Sequence, residues 1–121
     1  MKKILVIEDE PVQQLLYKEE IADWGYQVEV AGDEGEARRK MASFEPDLLV
    51  MDIRLPGKNG LELIRDFLKE NPRLKVVIHS AYSHYKEDFL SWAAEEYIVK
   101  SSDLSELKEA IHRVLSRPKK K

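Results

Sequence analysis

An aspartate that directly follows an apolar run is the side chain in this sequence with the clearest capacity to react. The apolar stretch 48–51 leads straight into Asp52, and the turn-forming pair Pro56-Gly57 follows shortly after. An apolar run bounded by turn residues is typical of a strand buried on both faces of a parallel sheet. Ligand and catalytic sites of open α/β sheets lie at the carboxyl ends of such strands. Asp52 is therefore the first candidate for a reactive group.

Other chemical groups follow three further predicted strands. The first strand is followed by Glu8 and Asp9, the fourth has Ser80 as its penultimate residue, and the fifth ends at Lys100. Because the carboxyl ends of parallel strands share one edge of a sheet, these side chains can meet Asp52 in a single crevice.

Three neighbouring carboxylates repel one another unless a cation or a proton neutralises them. Carboxylate and carbonyl oxygens are the ligands that suit Mg²⁺. We expect Asp9 and Asp52 to bind Mg²⁺ directly, and Glu8 to act through water. The backbone carbonyl of Arg54 can supply a further ligand.

A hard cation at this edge would draw a phosphoryl group towards an exposed carboxylate. Asp52 could then attack the phosphorus in line and become an acyl phosphate. Ser80 could donate a hydrogen bond to one phosphoryl oxygen, and Lys100 could pair with another. The residues alone thus predict phosphoryl transfer to Asp52.

The elements that must position these groups alternate between strand and helix five times. The predicted strands cover residues 3–7, 27–31, 48–51, 75–81 and 96–100. The first helix runs from Pro11 to about Trp24, with Val12, Leu15, Leu16 and Ile21 at helical spacing. This alternation predicts a parallel sheet with helices on both faces, joined by right-handed crossovers.

Length and composition exclude several functions. The chain has 121 residues, the usual size of one domain, and no cysteine for a disulfide or thiolate chemistry. Its net charge of -3 gives no field that favours nucleic acid. No segment has the length and apolar character of a membrane span or signal peptide, so we expect a cytoplasmic protein. The basic run 119–121 is expected to be a tail or linker stub.

Three segments together resemble the receiver (CheY-like) domains of two-component response regulators. They are Ile4-Leu5-Val6-Ile7-Glu8-Asp9-Glu10-Pro11, Val50-Met51-Asp52-Ile53-Arg54-Leu55-Pro56-Gly57 and Tyr97-Ile98-Val99-Lys100. The resemblance implies a flavodoxin-like (βα)5 fold over residues 1–118. That fold is a three-layer sandwich around a five-stranded parallel sheet with strand order 2-1-3-4-5.

The resemblance also implies how the domain signals. A histidine kinase or histidine phosphotransfer protein would phosphorylate Asp52 in a Mg²⁺-dependent reaction, and the chain would catalyse only its own phosphorylation and slow dephosphorylation. Ser80 and Tyr97 match the switch residues of the family, Ser80 and Lys100 its catalytic positions. The implied metal pocket comprises Glu8, Asp9, Asp52 and Arg54.

The switch would act on the surface formed by the fourth helix, the fifth strand and the last helix. A downstream protein target or a tethered output domain would bind this surface. We expect no membrane contact and no direct nucleic-acid binding by this domain.

The chain departs from the family pattern in two places. Ser101 follows Lys100, where the family usually has a proline after a cis bond, so we expect a trans bond or a strained cis bond. This substitution puts in question the direction in which the Lys100 side chain points. The stretch between Ser80 and Lys100 is also short, which predicts a short or poorly aligned fourth helix over about 83–94.

Two other functions compete with this interpretation. An Asp-dependent phosphohydrolase usually carries a second aspartate two positions after its nucleophile, and Arg54 stands there instead. A receiver fold could also serve as an interaction module without phosphorylation. A Ser–His nucleophile is disfavoured because Ser80 and His79 point to opposite faces of a strand, so His79 is predicted to pack under a helix.

Overall fold

Five parallel strands form one sheet in the structure, a computed structural model that describes residues 1–52, 54–55, 58–81, 94–101 and 103–117. The strands are β1 (Lys3–Ile7), β2 (Gln27–Ala31), β3 (Leu48–Met51), β4 (Lys75–Ser80) and β5 (Glu96–Val99). They lie in the order β2-β1-β3-β4-β5, and every neighbouring pair is parallel. The predicted fold class and strand order are thereby confirmed.

Helices cover both faces of this sheet. In the described part of the chain they are α1 (Pro11–Asp23), α2 (Glu34–Phe44), α3 (Gly60–Glu70) and α4 (Ser105–Leu115). Buried residues of α2 and α3 belong to one apolar cluster, and buried residues of α1 and α4 belong to the other. None of the described helices is both long enough and apolar enough to cross a membrane.

The alternation of side chains along the central strands creates these two clusters. In β1, Leu5 and Ile7 pack on the α2–α3 side, whereas Ile4 and Val6 pack on the α1–α4 side. All four residues of β3 are buried in the same alternating way. Strands that are buried on both faces read as continuous aliphatic runs, which is why the sequence revealed them.

Local capping explains where several helices begin and end. The Glu10 carboxylate accepts hydrogen bonds from the backbone N–H groups of Val12 and Gln13 at the start of α1. At the start of α2, Asp33 accepts from the N–H of Glu36, as the capping pattern predicts. Gly25 follows α1 with φ of +98°, a conformation that other residues adopt at a cost.

The buried face of α1 differs from the one that apolar spacing suggested. Val12, Leu15 and Leu16 are 71%, 58% and 40% exposed, whereas Tyr17 and Ile21 are fully buried. The helix therefore packs on the sheet through a stripe that contains Tyr17 and Ile21, and it leaves three large aliphatic side chains in solvent. Hydrophobicity alone selected Ile21 correctly but missed Tyr17, because a tyrosine can be buried when its hydroxyl finds a hydrogen-bond partner.

The remaining differences concern strand ends and the segment after Asp52. The fourth and fifth strands each end one residue earlier than predicted, at Ser80 and Val99. Residues Arg54–Leu55 pair in antiparallel fashion with Lys58–Asn59, a short ribbon that was not predicted. The predicted helix over 83–94 lies almost wholly outside the described residues, as does the tail over 119–121.

Candidate functional site

The ends of four strands bring the predicted chemical groups to one edge of the sheet. Glu8 follows β1, Asp52 follows β3, Ser80 ends β4 and Lys100 follows β5. Backbone hydrogen bonds extend the sheet to these positions. The Asp52 N–H donates to the Ile7 carbonyl at 3.3 Å, and the Lys100 N–H donates to the Ser80 carbonyl at 2.7 Å. These hydrogen bonds therefore fix the backbone positions from which the Asp52 and Lys100 side chains extend.

The Lys100 ammonium bridges two carboxylates. Its Nζ donates to Asp52 Oδ2 at 2.8 Å and to Glu8 Oε1 at 3.0 Å. The side chains are 22% exposed at Lys100, 14% at Asp52 and 4% at Glu8, so the three charges meet at the border between core and solvent. The peptide bond to Ser101 is trans, and Lys100 nevertheless reaches the acidic residues.

Burial and charge act in opposite directions at these groups. Burial raises the pKa of Glu8, while the hydrogen bond and the charge of Lys100 lower it, and burial prevails. Burial alone would lower the pKa of Lys100, but hydrogen bonds to Asp52 and Glu8 raise it above its ordinary value. Lys100 is therefore a fixed positive charge at neutral pH, placed against the Asp52 and Glu8 carboxylates.

The structure does not gather the three acids of the predicted metal pocket into one group. Within the described ranges, no three Asp, Glu or His side chains lie close enough together to hold a metal ion. Asp9 is exposed, whereas Glu8 and Asp52 both contact Lys100. Arg54 begins the short ribbon two positions past Asp52. The donor types are nevertheless hard oxygens on neighbouring strand ends, and this chemistry fits Mg²⁺.

Ser80 and Tyr97 lie on the same face of the sheet. Ser80 pairs in register with Val99, and Ile78 pairs with Tyr97, so the two side chains are offset by two positions along neighbouring strands. Ser80 is fully buried, and Tyr97 is 5% exposed within the α2–α3 apolar cluster. The ring of Tyr97 is therefore turned inward in this structure.

Two side chains of α1 that sequence reasoning did not select lie near the site. Tyr17 Oη forms a hydrogen bond of 2.6 Å with His79 Nδ1, and both residues are buried. Gln14 Nε2 donates to the backbone carbonyl of Glu8 at 2.6 Å. The spacing of 14, 17 and 21 is itself helical and was the available signal, but the polar residue at its start concealed it.

The fold and the site define a class of protein, and comparison with known families identifies it. Residues 4–112 match the response regulator receiver domain, so the chain belongs to that family. The parallel sheet of order β2-β1-β3-β4-β5, with an acid, a hydroxyl and a lysine at its carboxyl edge, is consistent with this assignment.

Solved structures include similar proteins with informative ligands and partners. The response regulator TrrA of Thermotoga maritima in complex with Mg²⁺-BeF is 43% identical, with a TM-score of 0.87, covering 94% of this chain and 99% of that chain. A structure of histidine kinase ThkA in complex with TrrA matches with 44% identity and a TM-score of 0.86, covering 96% of this chain and 100% of that chain.

Curated relatives fall into two lengths. The chemotaxis protein CheY of Thermotoga maritima is 29% identical, and the match covers 93% of this chain and 97% of CheY. The response regulator ArlR of Staphylococcus saprophyticus is 33% identical, and the match covers all of this chain but only 56% of ArlR. The chain thus spans nearly the whole of one relative and about half of the other.

Proposed function

We propose that this receiver domain accepts a phosphoryl group on Asp52 from a histidine kinase or a histidine phosphotransfer protein. The observation that carries the proposal is the contact of Lys100 with the Asp52 carboxylate at 2.8 Å, supported by Glu8. An ammonium that is hydrogen-bonded to a partly exposed carboxylate is the arrangement that stabilises negative charge during phosphoryl transfer.

The chemical step exchanges one bond of phosphorus for another. An Asp52 oxygen attacks the phosphorus in line, the bond from phosphorus to the donor's imidazole nitrogen breaks, and the imidazole keeps the electron pair. Lys100 then moves its hydrogen bond from the carboxylate to a phosphoryl oxygen, and the Ser80 hydroxyl donates to another. The chain is thus a signalling phosphoacceptor that catalyses only its own phosphorylation and slow dephosphorylation.

Mg²⁺ is the cofactor that the donor set favours. Asp9 and Asp52 would hold it directly, Glu8 through water, and the Arg54 carbonyl would complete the protein ligands. When bound, it supplies positive charge against the carboxylates and the incoming phosphoryl oxygens. The Mg²⁺-BeF complex of TrrA supports this proposal by similarity.

The exposed apolar surface of α1 supports the proposed kinase partner. Val12, Leu15 and Leu16 lie within the first two turns of a helix that begins three residues after Glu8. Clustered exposed aliphatic side chains mark protein interaction sites more often than chance would place them. A helical donor that docks on them would hold its phosphohistidine close to Asp52, and TrrA forms a complex with a histidine kinase.

The output would depend on Ser80 and Tyr97. The aspartyl phosphate carries a charge of about -1.5 to -2 in place of the carboxylate's single negative charge, and moving a mostly inactive population to a mostly active one needs about 5.5 kcal/mol of differential stabilisation. Ser80 would move towards the phosphoryl group, and the ring of Tyr97 would shift to fill the space that Ser80 leaves. A surface that includes β5 and α4 would then bind a downstream target or a tethered output domain. Superposable free and BeF₃⁻-bound structures with Tyr97 unmoved would contradict this switch.

One experiment decides between phosphorylation and a phosphate-independent interaction module. Wild type, Asp52→Asn and the control Asp23→Asn are incubated with acetyl phosphate, with and without Mg²⁺, and their intact masses are measured. We expect wild type and Asp23→Asn to gain one phosphoryl group only with Mg²⁺, and Asp52→Asn to gain none. An unmodified wild type under all conditions would favour the interaction module.

A further inference from the structure

A tyrosine and a histidine form a buried polar bridge between α1 and β4. Tyr17 Oη and His79 Nδ1 are 2.6 Å apart, and the residues are 1% and 3% exposed. Their rings meet edge-on at 76° with centroids 5.6 Å apart. We call this pair the Tyr17–His79 bridge. Its burial implies that neither group can exchange its partner for water without cost.

A short series of contacts connects this bridge with Asp52. His79 precedes Ser80, whose carbonyl accepts from the Lys100 N–H at 2.7 Å. The Lys100 side chain then reaches the Asp52 carboxylate at 2.8 Å. A displacement of the main chain at His79 would therefore move the Ser80 carbonyl to which the Lys100 N–H is bonded.

The bridge consists of two uncharged groups among several charges. Burial raises the pKa of the Tyr17 hydroxyl well above its ordinary value, so the hydroxyl stays protonated. Burial, together with the charge of Lys100, lowers the pKa of His79 to about 4, so the imidazole is neutral at pH 7. The charges of Lys100 and Asp52 act on both groups. If the Tyr17 hydroxyl were removed, a buried imidazole nitrogen would be left to find another polar partner, and these charged groups are the attractive ones.

We propose that Tyr17 and His79 are positioning residues of the phosphorylation site. Their hydrogen bond ties β4 to α1 at position 79, next to the Ser80 carbonyl that accepts from the Lys100 N–H, so that Lys100 and Ser80 keep their positions at Asp52. This inference rests on the proposed function and adds to it two residues that touch neither the phosphoryl donor nor the reacting atoms.

The test measures the phosphorylation of Asp52 by acetyl phosphate at saturating Mg²⁺ over a range of donor concentrations. For Tyr17→Phe we expect the maximal rate to fall about fivefold to tenfold, the effect of losing one buried hydrogen bond. The half-saturating concentration of acetyl phosphate stays within about twofold, because the bridge does not contact the donor. Tyr26→Phe is the matched control, since Tyr26 also bonds a histidine Nδ1, that of the exposed His112.

Two further variants separate positioning from simple stability. Asn at position 79 can offer an oxygen or an N–H close to the former Nδ1, so His79→Asn should retain most of the rate. The double variant Tyr17→Phe/His79→Leu leaves no unpaired polar group, so it should regain thermal stability while its rate stays low.

The outcomes discriminate among the hypotheses. A Tyr17→Phe rate within twofold of wild type, or a double variant whose rate recovers together with its stability, would overturn the positioning role. A wild-type chain that accepts no phosphoryl group would overturn the proposed function itself, and the bridge would lose its role with it.

Discussion

Lys100 is the residue on which the local electrostatics depends. It is the shared partner of Glu8 and Asp52, which are both mostly shielded from solvent. Two carboxylates at this depth without their cation would repel each other, and each would lose a charged hydrogen-bond donor. The ammonium that stabilises the resting site would also neutralise a phosphoryl oxygen in the proposed reaction. Lys100 therefore has a structural role and a proposed chemical role.

Replacing Lys100 tests this dual role. We expect Lys100→Met to lower the free energy of unfolding by about 1–3 kcal/mol at pH 7, measured by urea denaturation, because two shielded carboxylates lose a charged partner. The pKa of Glu8 is raised by burial, so its ionisation destabilises the folded state as pH rises, and the loss should be smaller at pH 5 than at pH 7.

The control for that substitution is Lys40→Met. Lys40 pairs with Glu29 on the surface, where both side chains are at least one-third exposed, and such pairs contribute less than about 1 kcal/mol. Equal losses of stability in the two variants would show that the Lys100 pairs are no stronger than a surface ion pair.

At the level of elements, the strands were more predictable than the faces of the helices. Strands β1, β3 and β4 could be read from continuous aliphatic runs, because strands buried on both sides carry no competing pattern. The convergence of Asp52, Ser80 and Lys100 on one edge follows directly from parallel topology. A helix has one buried stripe among several candidates, and the choice depends on partners from distant segments.

The polar contacts that decide these choices were invisible in the sequence. Tyr17 is buried with a hydrogen-bond partner, His79, that stands 62 positions away along the chain. Lys75 looked like an ordinary first residue of a strand, yet it is buried and its Nζ donates to the carbonyls of Val114 and Arg117. Such pairings require tertiary geometry, which periodicity alone does not contain.

The exposed face of α1 leads to a prediction about the free energy of unfolding. Leu15→Ser should change the free energy of unfolding by less than about 0.5 kcal/mol, since Leu15 is 58% exposed. Ile21→Ala on the same helix should cost about 2–4 kcal/mol, because it empties a fully buried position. Urea denaturation of the two variants side by side checks the assignment of the buried stripe. A larger loss for Leu15→Ser would show that the helix packs through the other face.

The anchoring of α4 to β4 makes a second prediction at this scale. Lys75→Met removes the donor for two carbonyls at the end of α4 and should cost about 1–3 kcal/mol. Hydrogen exchange should accelerate in the last turn of α4 before it does in α2. Lys69→Met, at an exposed position in the last turn of α3, is the control and should leave exchange in α4 unchanged.

In the whole molecule, the two apolar layers differ in their polar content. The α2–α3 layer is almost purely apolar around Leu63 and Phe67, whereas the α1–α4 side also contains the buried imidazole of His79. A neutral histidine in the interior makes the stability of the entire domain depend on pH. The unfolded chain binds a proton at this imidazole near pH 6.5, whereas the folded chain resists protonation until about pH 4.

The stabilising contribution of His79 is therefore complete above pH 6.5 and is lost as pH falls to about 4. Its size is on the order of 3 kcal/mol, because a tenfold difference in proton affinity corresponds to about 1.4 kcal/mol. Glu8 opposes this trend, since its raised pKa favours the folded state as pH falls. The free energy of unfolding of wild type will consequently change less steeply with pH than it would if His79 alone contributed.

Comparison with His79→Leu isolates the histidine from Glu8, because the variant retains the glutamate. We expect the free energies of unfolding of wild type and His79→Leu, measured in urea from pH 7 to pH 4, to converge as the pH falls, since only wild type loses the histidine contribution. His112→Leu, which removes an exposed histidine, is measured over the same range as the comparison variant. A constant difference between wild type and His79→Leu would mean that the imidazole gains its proton as readily in the folded chain as in the unfolded one. In that case the interior around the Tyr17–His79 bridge would have to admit water.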